Sequence, residues 1–229
     1  MGLTDDLEAE TKAIFRAAWT ERDGTVVPDP SSVQLGNDAV NLDAVVLYAD
    51  IAASTKLVDN YNKEFAAEIY KSYLHCAAKV IRSEGGEITA YDGDRIMAVF
   101  VGNSKNSSAG RTALKINFAR VNIVQPEIKA QYPTSTFVLE HGVGVDSSKV
   151  FVARTGIRGA NDLVWVGKAA NHAAKLASWA PGYPSCITQE VHARLRDEVK
   201  ETKGKAMWTA ILWPDMNRVV YRSTWTWRP

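Results

Sequence analysis

Two aspartates carry the strongest chemical signal in this sequence. Asp50 follows the short apolar run Ala44–Tyr48, and Asp94 closes the tight turn Asp92-Gly93-Asp94 between two strand-like runs. Two carboxylates delivered to one edge of a sheet, with few other protein ligands, suit magnesium or manganese ions that complete their shell with substrate phosphates. A pair of such ions serves in-line attack at phosphorus: one lowers the pKa of the attacking hydroxyl, the other neutralises the leaving phosphates. After Asp50 the turn Ile51-Ala52-Ala53-Ser54-Thr55 enters a helix, a geometry that turns backbone N–H groups toward phosphate. Taken singly, each aspartate has a simpler reading, Asp50 as a helix cap and Asp94 as the polar tip of a hairpin.

The elements that must position these residues follow from periodicity. Ala44–Tyr48 is continuously apolar, as a central strand covered on both sides should be. From Lys56 to Arg82 the apolar residues Leu57, Tyr61, Phe65, Ile69, Leu74, Ala78 and Ile81 predict one helix, stopped by Gly85-Gly86. Glu87–Tyr91 and Ile96–Val101 read as a hairpin around Asp-Gly. A second helix is expected from about Ser107 to Val124. Thr136–Val145 and Lys149–Ala153 are expected to be paired strands around Asp146-Ser147-Ser148, followed by a strand at Leu163–Val166. A helix from Lys168 to Ala180 should end before Pro181-Gly182. Ser185–Thr188 then reads as a strand, Glu190–Val199 as a helix, and Trp208–Leu212 with Arg218–Trp227 as closing strands. The order β-α-β-β-α-β with additions predicts an α+β, ferredoxin-like core. Upstream, Leu7–Trp19 has helical spacing and Arg22–Asn41 has the Gly, Pro, Asp and Ser content of a linker or extended arm. The expected organisation is therefore an N-terminal helix and arm, 1–41, and a main domain, 42–229.

Composition narrows the partners. With 27 basic and 26 acidic residues the formal charge is +1, which gives no global attraction to nucleic acid or an anionic membrane, so neither partner is expected. Cys76 and Cys186 lie far apart and form no C-x-x-C pair, which argues against disulfides or zinc and fits a reducing cytoplasm. The N-terminus is acidic and polar, and no run of about 18 apolar residues occurs, so a soluble cytoplasmic protein is expected. His141, inside a strand-like run, and His172, beside Asn171 on a helix, are not read as bases. The aromatic C-terminal stretch, including Trp208, Trp213, Tyr221, Trp225 and Trp227, is read as core or interface packing.

Three stretches resemble a known family. The segment from Val46 through Asp50 to Leu57, containing Tyr48-Ala-Asp50-Ile51-Ala-Ala-Ser54-Thr55, resembles the first metal motif of class III nucleotidyl cyclases, F-x-D-I-x-x-S/F-T. Gly93-Asp94-Arg95-Ile96-Met97-Ala98-Val99-Phe100 resembles the second, G-D-x-x-M-A-x-F, and Gly167 to Leu176 is similar to the helix G-x-x-V-N-x-A-A-R-L. The resemblance covers roughly residues 42 to 190. It implies a class III cyclase fold, a head-to-tail homodimer with two composite sites, and cyclisation of a nucleoside triphosphate with two Mn2+ or Mg2+ ions. The implied metal set is Asp50, Ile51 and Asp94. Asn171 would orient the ribose, and Lys175, where the family has Arg, would stabilise the phosphoryl charge.

Departures from the family pattern bear on the substrate. The positions where family members place a Lys and an Asp that read adenine are Ala90 and Val164, neither of which can bond a purine edge. Tyr48 replaces a common Phe and Arg95 follows the metal Asp, offering packing and five N–H donors to a pyrimidine ring. With Ser54 and Thr55 these form the expected substrate-binding set. The combination resembles the pyrimidine cyclases of bacterial Pycsar anti-phage defence, which implies cyclic UMP from UTP, read by a separate effector. Cyclic CMP, a purine cyclase, an inactive nucleotide-binding module and a polymerase-like nucleotidyltransferase are the alternatives. Arg154, Arg158 and Lys168 are further candidates for the triphosphate.

Overall fold

The computed structural model describes residues 2–179 and 182–229. Its centre is a nine-stranded sheet built on β2 (Asp38–Ile51) and β5 (His141–Ile157), which run antiparallel from Ala39↔Ala153 to Ile51↔His141. β2 also pairs antiparallel with β4 (Arg95–Phe100), which pairs with β3 (Glu87–Asp92), so the path β5-β2-β4-β3 is the ferredoxin-like core. β7 (Ser185–Thr188) extends it parallel to β5, and β11 (Arg218–Ser223) and β10 (Thr209–Trp213) follow antiparallel. β6 (Ala160–Val166) folds back on the far end of β5, and β1 (Thr20–Gly24) lies parallel to the start of β2. A separate small hairpin joins β8 (Glu201–Thr202) to β9 (Lys205–Ala206).

Alternation along β2 decides which face each residue serves. Val45, Leu47, Ala49 and Ile51 face one core, shared with α3 (Lys63–Ser83) and α4 (Lys105–Ala119). Val40, Leu42, Ala44 and Val46 face the other, with Ala169, Ala170 and Ala173 of α6 (Lys168–Trp179). Tyr48 and Asp50 therefore belong to the α6 face.

Several boundaries differ from the sequence reading. β2 begins at Asp38 instead of Ala44, because residues of the supposed arm continue the ladder and pair with β1. The expected helix Lys56–Arg82 is two, α2 (Ser54–Asn60) and α3, because Asn62 accepts a hydrogen bond from the Phe65 N–H at 2.8 Å and caps a new start. The second helix ends at Ala119 and passes through a π-turn, Arg120–Val124, into α5 (Gln125–Gln131). The N-terminal helix α1 spans Leu3–Arg16, and Glu190–Val199 divides into α7 (Gln189–Ala193) and α8 (Asp197–Lys200). β11 stops at Ser223, after which the tail packs on α4: Asn117 Nδ2 donates to the carbonyls of Thr224 and Trp225, and the Trp227 N–H donates to Leu114. Ala180, where the third long helix was expected to end, lies outside the described residues.

The largest correction concerns Asp146-Ser147-Ser148, which is no turn. Residues 136–140 are irregular, held where Gln125 bonds to the Phe137 carbonyl and the Leu139 N–H, and β5 then runs unbroken from His141. The polar residues sit mid-strand because they fasten α6 and β7. Asp146 Oδ2 meets His172 Nδ1 at 2.9 Å, Asp146 Oδ1 accepts from Thr188 Oγ1 at 2.5 Å, and Ser148 Oγ accepts the Ala169 N–H at the start of α6 at 3.0 Å. His172 thus points into the protein, away from the exposed side of Asn171.

At Gly142 and Gly144 the same helix lies directly against the β5 backbone. A Cβ at Gly142 would stand 1.8 Å from the Ala177 carbonyl oxygen, and one at Gly144 would stand 2.1 Å from that of Ala173. Gly144→Ala is therefore expected to destabilise the protein by about 1–3 kcal/mol or more in urea denaturation, and to lower activity by lifting α6. Wild-type stability in that variant would show that the helix rides freely above the strand.

Candidate active site

The C-terminal end of β2 is the focus of the site. Asp50 pairs in register with Arg95, the first residue of β4, so the ladder places Asp50 beside the hairpin turn that carries Asp94. Asp50 and Asp94 line one cavity of about 540 Å³, together with Ile51, Ser54, Thr55 and Arg95. The turn after Asp50 is shaped by Ala53, held in the left-handed region at φ 55°, and the Ala52 N–H is bonded to the Glu140 carbonyl at 2.9 Å. Six of the residues singled out by sequence thus meet at one opening.

Electrostatics there are unbalanced. The Asp50 side chain is only 14% exposed. Burial holds its carboxyl above the ordinary range, and the neighbouring Asp94 charge raises it further, while Arg95 and a hydrogen bond from Ser178 of α6, 3.4 Å away, pull it down. Arg95 Nε lies 3.7 Å from Asp50 Oδ2, and the same guanidinium carbon sits 6.0 Å from the centre of the Tyr48 ring. Tyr48, Asp50 and Arg95 form a continuous row on the α6 face of the sheet. Two converging carboxylates that repel one another in a partly buried pocket fit divalent cations. Among the described residues no group of three or more His, Cys, Asp or Glu side chains gathers to hold a metal, so these two side chains would need backbone and substrate oxygens beside them.

Other residues named from the sequence stand apart. Asn171 and Lys175 are exposed on the outward stripe of α6 and do not line the cavity. Ala90 pairs with Met97 on the β3–β4 ladder, and Val164 is exposed on β6, where it pairs with Ala153. Arg154 is already engaged, by Asn161 Oδ1 at 2.7 Å and the Val33 carbonyl at 3.3 Å, and neither it nor Arg158 or Lys168 lines the cavity.

The cavity is also lined by Arg120, Glu140 and Tyr183, which the sequence did not disclose, and by His141, which was not read as a base. His141 is buried, its Nδ1 2.9 Å from the Tyr73 hydroxyl, and burial holds its pKa well below the usual histidine value, so it is neutral. Tyr73, fully enclosed in the α3 core, is held protonated by burial and by the charges of Asp50 and Asp94. Each of these residues comes from an element remote in sequence from Asp50, and no local motif marks them.

Comparison with known proteins places this geometry. No protein-family model matches the chain. Over its whole length the chain is 49% identical to a uridylate cyclase of Xanthomonas perforans, covering 99% of that protein. It is 50% identical to a uridylate cyclase of Burkholderia cepacia over 99% of both chains. Among solved structures it resembles a bacterial light-regulated adenylyl cyclase, with TM-score 0.69 and 21% identity over 85% of this chain and 54% of that one, about half its length. A guanylyl cyclase matches with TM-score 0.69 and 18% identity over 82% of this chain and 95% of the other. At those identities the structural likeness is one of fold.

The raised Asp50 carboxyl has a sign that can be checked. Because its folded pKa lies above the unfolded value, its contribution to stability is fully present below the unfolded pKa and is lost as pH rises through the folded one. Metal-free protein at neutral pH carries that cost, and Asp50→Asn removes it. In thermal melts with a chelator the variant should melt higher than wild type at pH 7, with the gap closing toward about pH 4, where aspartates protonate. Equal melting at neutral pH would show that Arg95 already neutralises Asp50.

Proposed function

Because the chain belongs to the uridylate cyclase family of class III nucleotidyl cyclases, we propose that it converts UTP to 3′,5′-cyclic UMP and pyrophosphate. The observation that carries this reading is the convergence of Asp50 and Asp94 on one cavity, with Arg95 placed between Asp50 and the Tyr48 ring. In the reaction the ribose 3′-oxygen attacks the α-phosphorus, the new O3′–P bond forms in line, and the bond to the β-phosphate oxygen breaks with pyrophosphate leaving. Asp50, Asp94 and the Ile51 carbonyl would hold two divalent ions, magnesium or manganese, which when bound acidify the 3′-hydroxyl and neutralise the phosphates. Ser54 and Thr55, which line the cavity, are assigned to the phosphates.

Tyr48 and Arg95 are assigned to the base. Their row leads away from Asp50 along the sheet, and Arg95 presents donors that match the uracil carbonyls. Ala90 and Val164 stand where related enzymes would bond a purine, and their small apolar side chains leave such an edge unpaired.

Asn171 and Lys175 face solvent on the same side of the sheet as Asp50 but outside its cavity, so a single chain does not complete the proposed site. A head-to-tail homodimer supplies them from the second subunit. Exposed apolar residues on the β5–β6 arm support that pairing: Ile157 is 71% exposed, Val166 56% and Val164 37%, more than a solvated hairpin requires. The proposed setting is the cytoplasm and anti-phage defence, with the cyclic nucleotide read by a separate effector. No described helix is long and apolar enough to cross a membrane.

Incubation with manganese and each ribonucleoside triphosphate in turn should give cyclic UMP from UTP as the main product. Predominant cyclic CMP or a purine product would overturn the base assignment, and no product from any of the four would overturn the enzymatic reading. Asp50→Ala should abolish turnover, whereas Tyr48→Ala and Arg95→Ala should relax the choice of base. Equal mixing of the inactive Asp50→Ala and Lys175→Ala proteins should recover about a quarter of wild-type activity through heterodimers with one intact site. No recovery, with exchange of subunits verified, would exclude composite sites.

A further inference from the structure

The cavity that holds Asp50 and Asp94 contains one cation with no assigned task. Arg120 lies at the junction of α4 with the π-turn. Pro126 sets that junction: it cannot donate to the Asn122 carbonyl and its ring would crowd it, so a uniform α-helix cannot continue. The Gln125 N–H instead reaches back to the Arg120 carbonyl, closing the wider turn. Such turns recur at functional sites because they re-aim a side chain without ending the helix.

The guanidinium is held firmly by neutral groups. Arg120 Nε and Nη2 donate to Asn117 Oδ1 at 3.2 and 3.1 Å, and Nη1 donates to the Leu139 carbonyl at 2.8 Å. Asn117 is itself fixed through Nδ2 to the carbonyls of Thr224 and Trp225. Of the five N–H groups of an arginine, one on each terminal nitrogen is left over. Among the described residues no carboxylate lies within ion-pair distance of Arg120. Neutral His141 and protonated Tyr73 beside it supply no countercharge, and Glu140, a carboxylate on the same cavity, acts on it only from beyond ion-pair distance. Half-buried and without a partner carboxylate, the group is costly to keep charged unless an anion is to meet it.

The two aspartates line the same cavity, which therefore offers carboxylates suited to divalent ions and, in Arg120, a cation with no carboxylate in direct contact. A triphosphate lying on ions at Asp50 and Asp94 would extend its outer phosphates along this opening. We infer that Arg120 is the triphosphate-binding cation contributed by the subunit that holds the metals, its two free N–H groups gripping the phosphates that leave as pyrophosphate. The assignment rests on the cyclase reading above. It replaces Arg154, Arg158 and Lys168 in this role, since those residues lie outside the cavity. A planar two-pronged donor is suited to phosphate oxygens in a way that a lysine is not.

The test uses the full-length protein with manganese and α,β-methylene-UTP, whose P–C bond cannot be cut, with UMP as the ligand lacking the outer phosphates. Arg120→Gln should weaken binding of the analogue by about tenfold to a hundredfold, as the loss of charge-assisted hydrogen bonds implies, and leave UMP binding within about twofold. Arg120→Lys should fall between. An unchanged ratio of the two affinities in folded Arg120→Gln would overturn the assignment. Should the substitution unfold the protein, phenylglyoxal labelling of wild type read by peptide mass decides: the analogue should shield Arg120 and UMP should not, and equal labelling with both would overturn it. Failure of wild type itself to bind the analogue would instead remove the cyclase reading, and the inference with it.

Discussion

The register between β2 and β4 is the constraint on which the site depends. Asp50 opposes Arg95, and that single pairing sets the distance from Asp50 to the Asp94 turn, the contact between Arg95 and Asp50, and the approach of Arg95 to Tyr48. A slip of one residue would turn Asp50 toward the α3 core and Ile51 outward. The register is secured by burial on both faces: Leu47, Ala49 and Ile51 are sealed beneath α3 and α4, while Ala44 and Val46 are sealed on the α6 side. Chemistry at the strand end is thus fixed by hydrophobic packing along the strand's whole length.

Helix α6 is positioned by a different means, and the difference matters to the proposed mechanism. Its approach to β5 is set by backbone contact at Gly142 and Gly144, which permits almost no vertical play. Its rotation is set by buried polar bonds, His172 to Asp146 and the Ala169 N–H to Ser148. Together these hold Ser178 against Asp50 while directing Asn171 and Lys175 outward along the same helix. One helix therefore contacts Asp50 of its own cavity and presents two polar residues to the outside, an arrangement compatible with the proposed composite sites.

The two aspartates and the ferredoxin-like order were legible in the sequence because both are local: an apolar run ending at Asp50, an Asp-Gly turn at Asp94, a helical period between them. What misled was also local. Asp146-Ser147-Ser148 has turn composition, yet the side chains of Asp146 and Ser148 have work elsewhere, in bonds to α6 and β7 that no window along the chain could reveal. Asn62 reads as one polar residue in a helical period but caps a second helix. Arg120 looks like an ordinary surface arginine; only the packing of α4 against residues 139–141 brings it to the cavity, and only Pro126 gives a sequence cause for the turn that aims it. Arg154 illustrates the converse: a candidate for the triphosphate by its charge, it is tied instead to Asn161 and the Val33 carbonyl.

The charges of the cavity are left unbalanced at Asp50 and at Arg120. Asp50 is strained by burial and by Asp94, relieved only in part by Arg95 at 3.7 Å, while Arg120 keeps its charge among neutral acceptors. On the proposed reading, ions at the aspartates and phosphates at the arginine would cancel the two imbalances at once, each bringing the charge its own end lacks. A metal–nucleotide complex carries those charges in that order along its length, and bare UMP does not. On the proposed reading, a preference for a triphosphate would follow from groups of β2, the β3–β4 turn and α4, three elements that a residue-by-residue motif joins only in part.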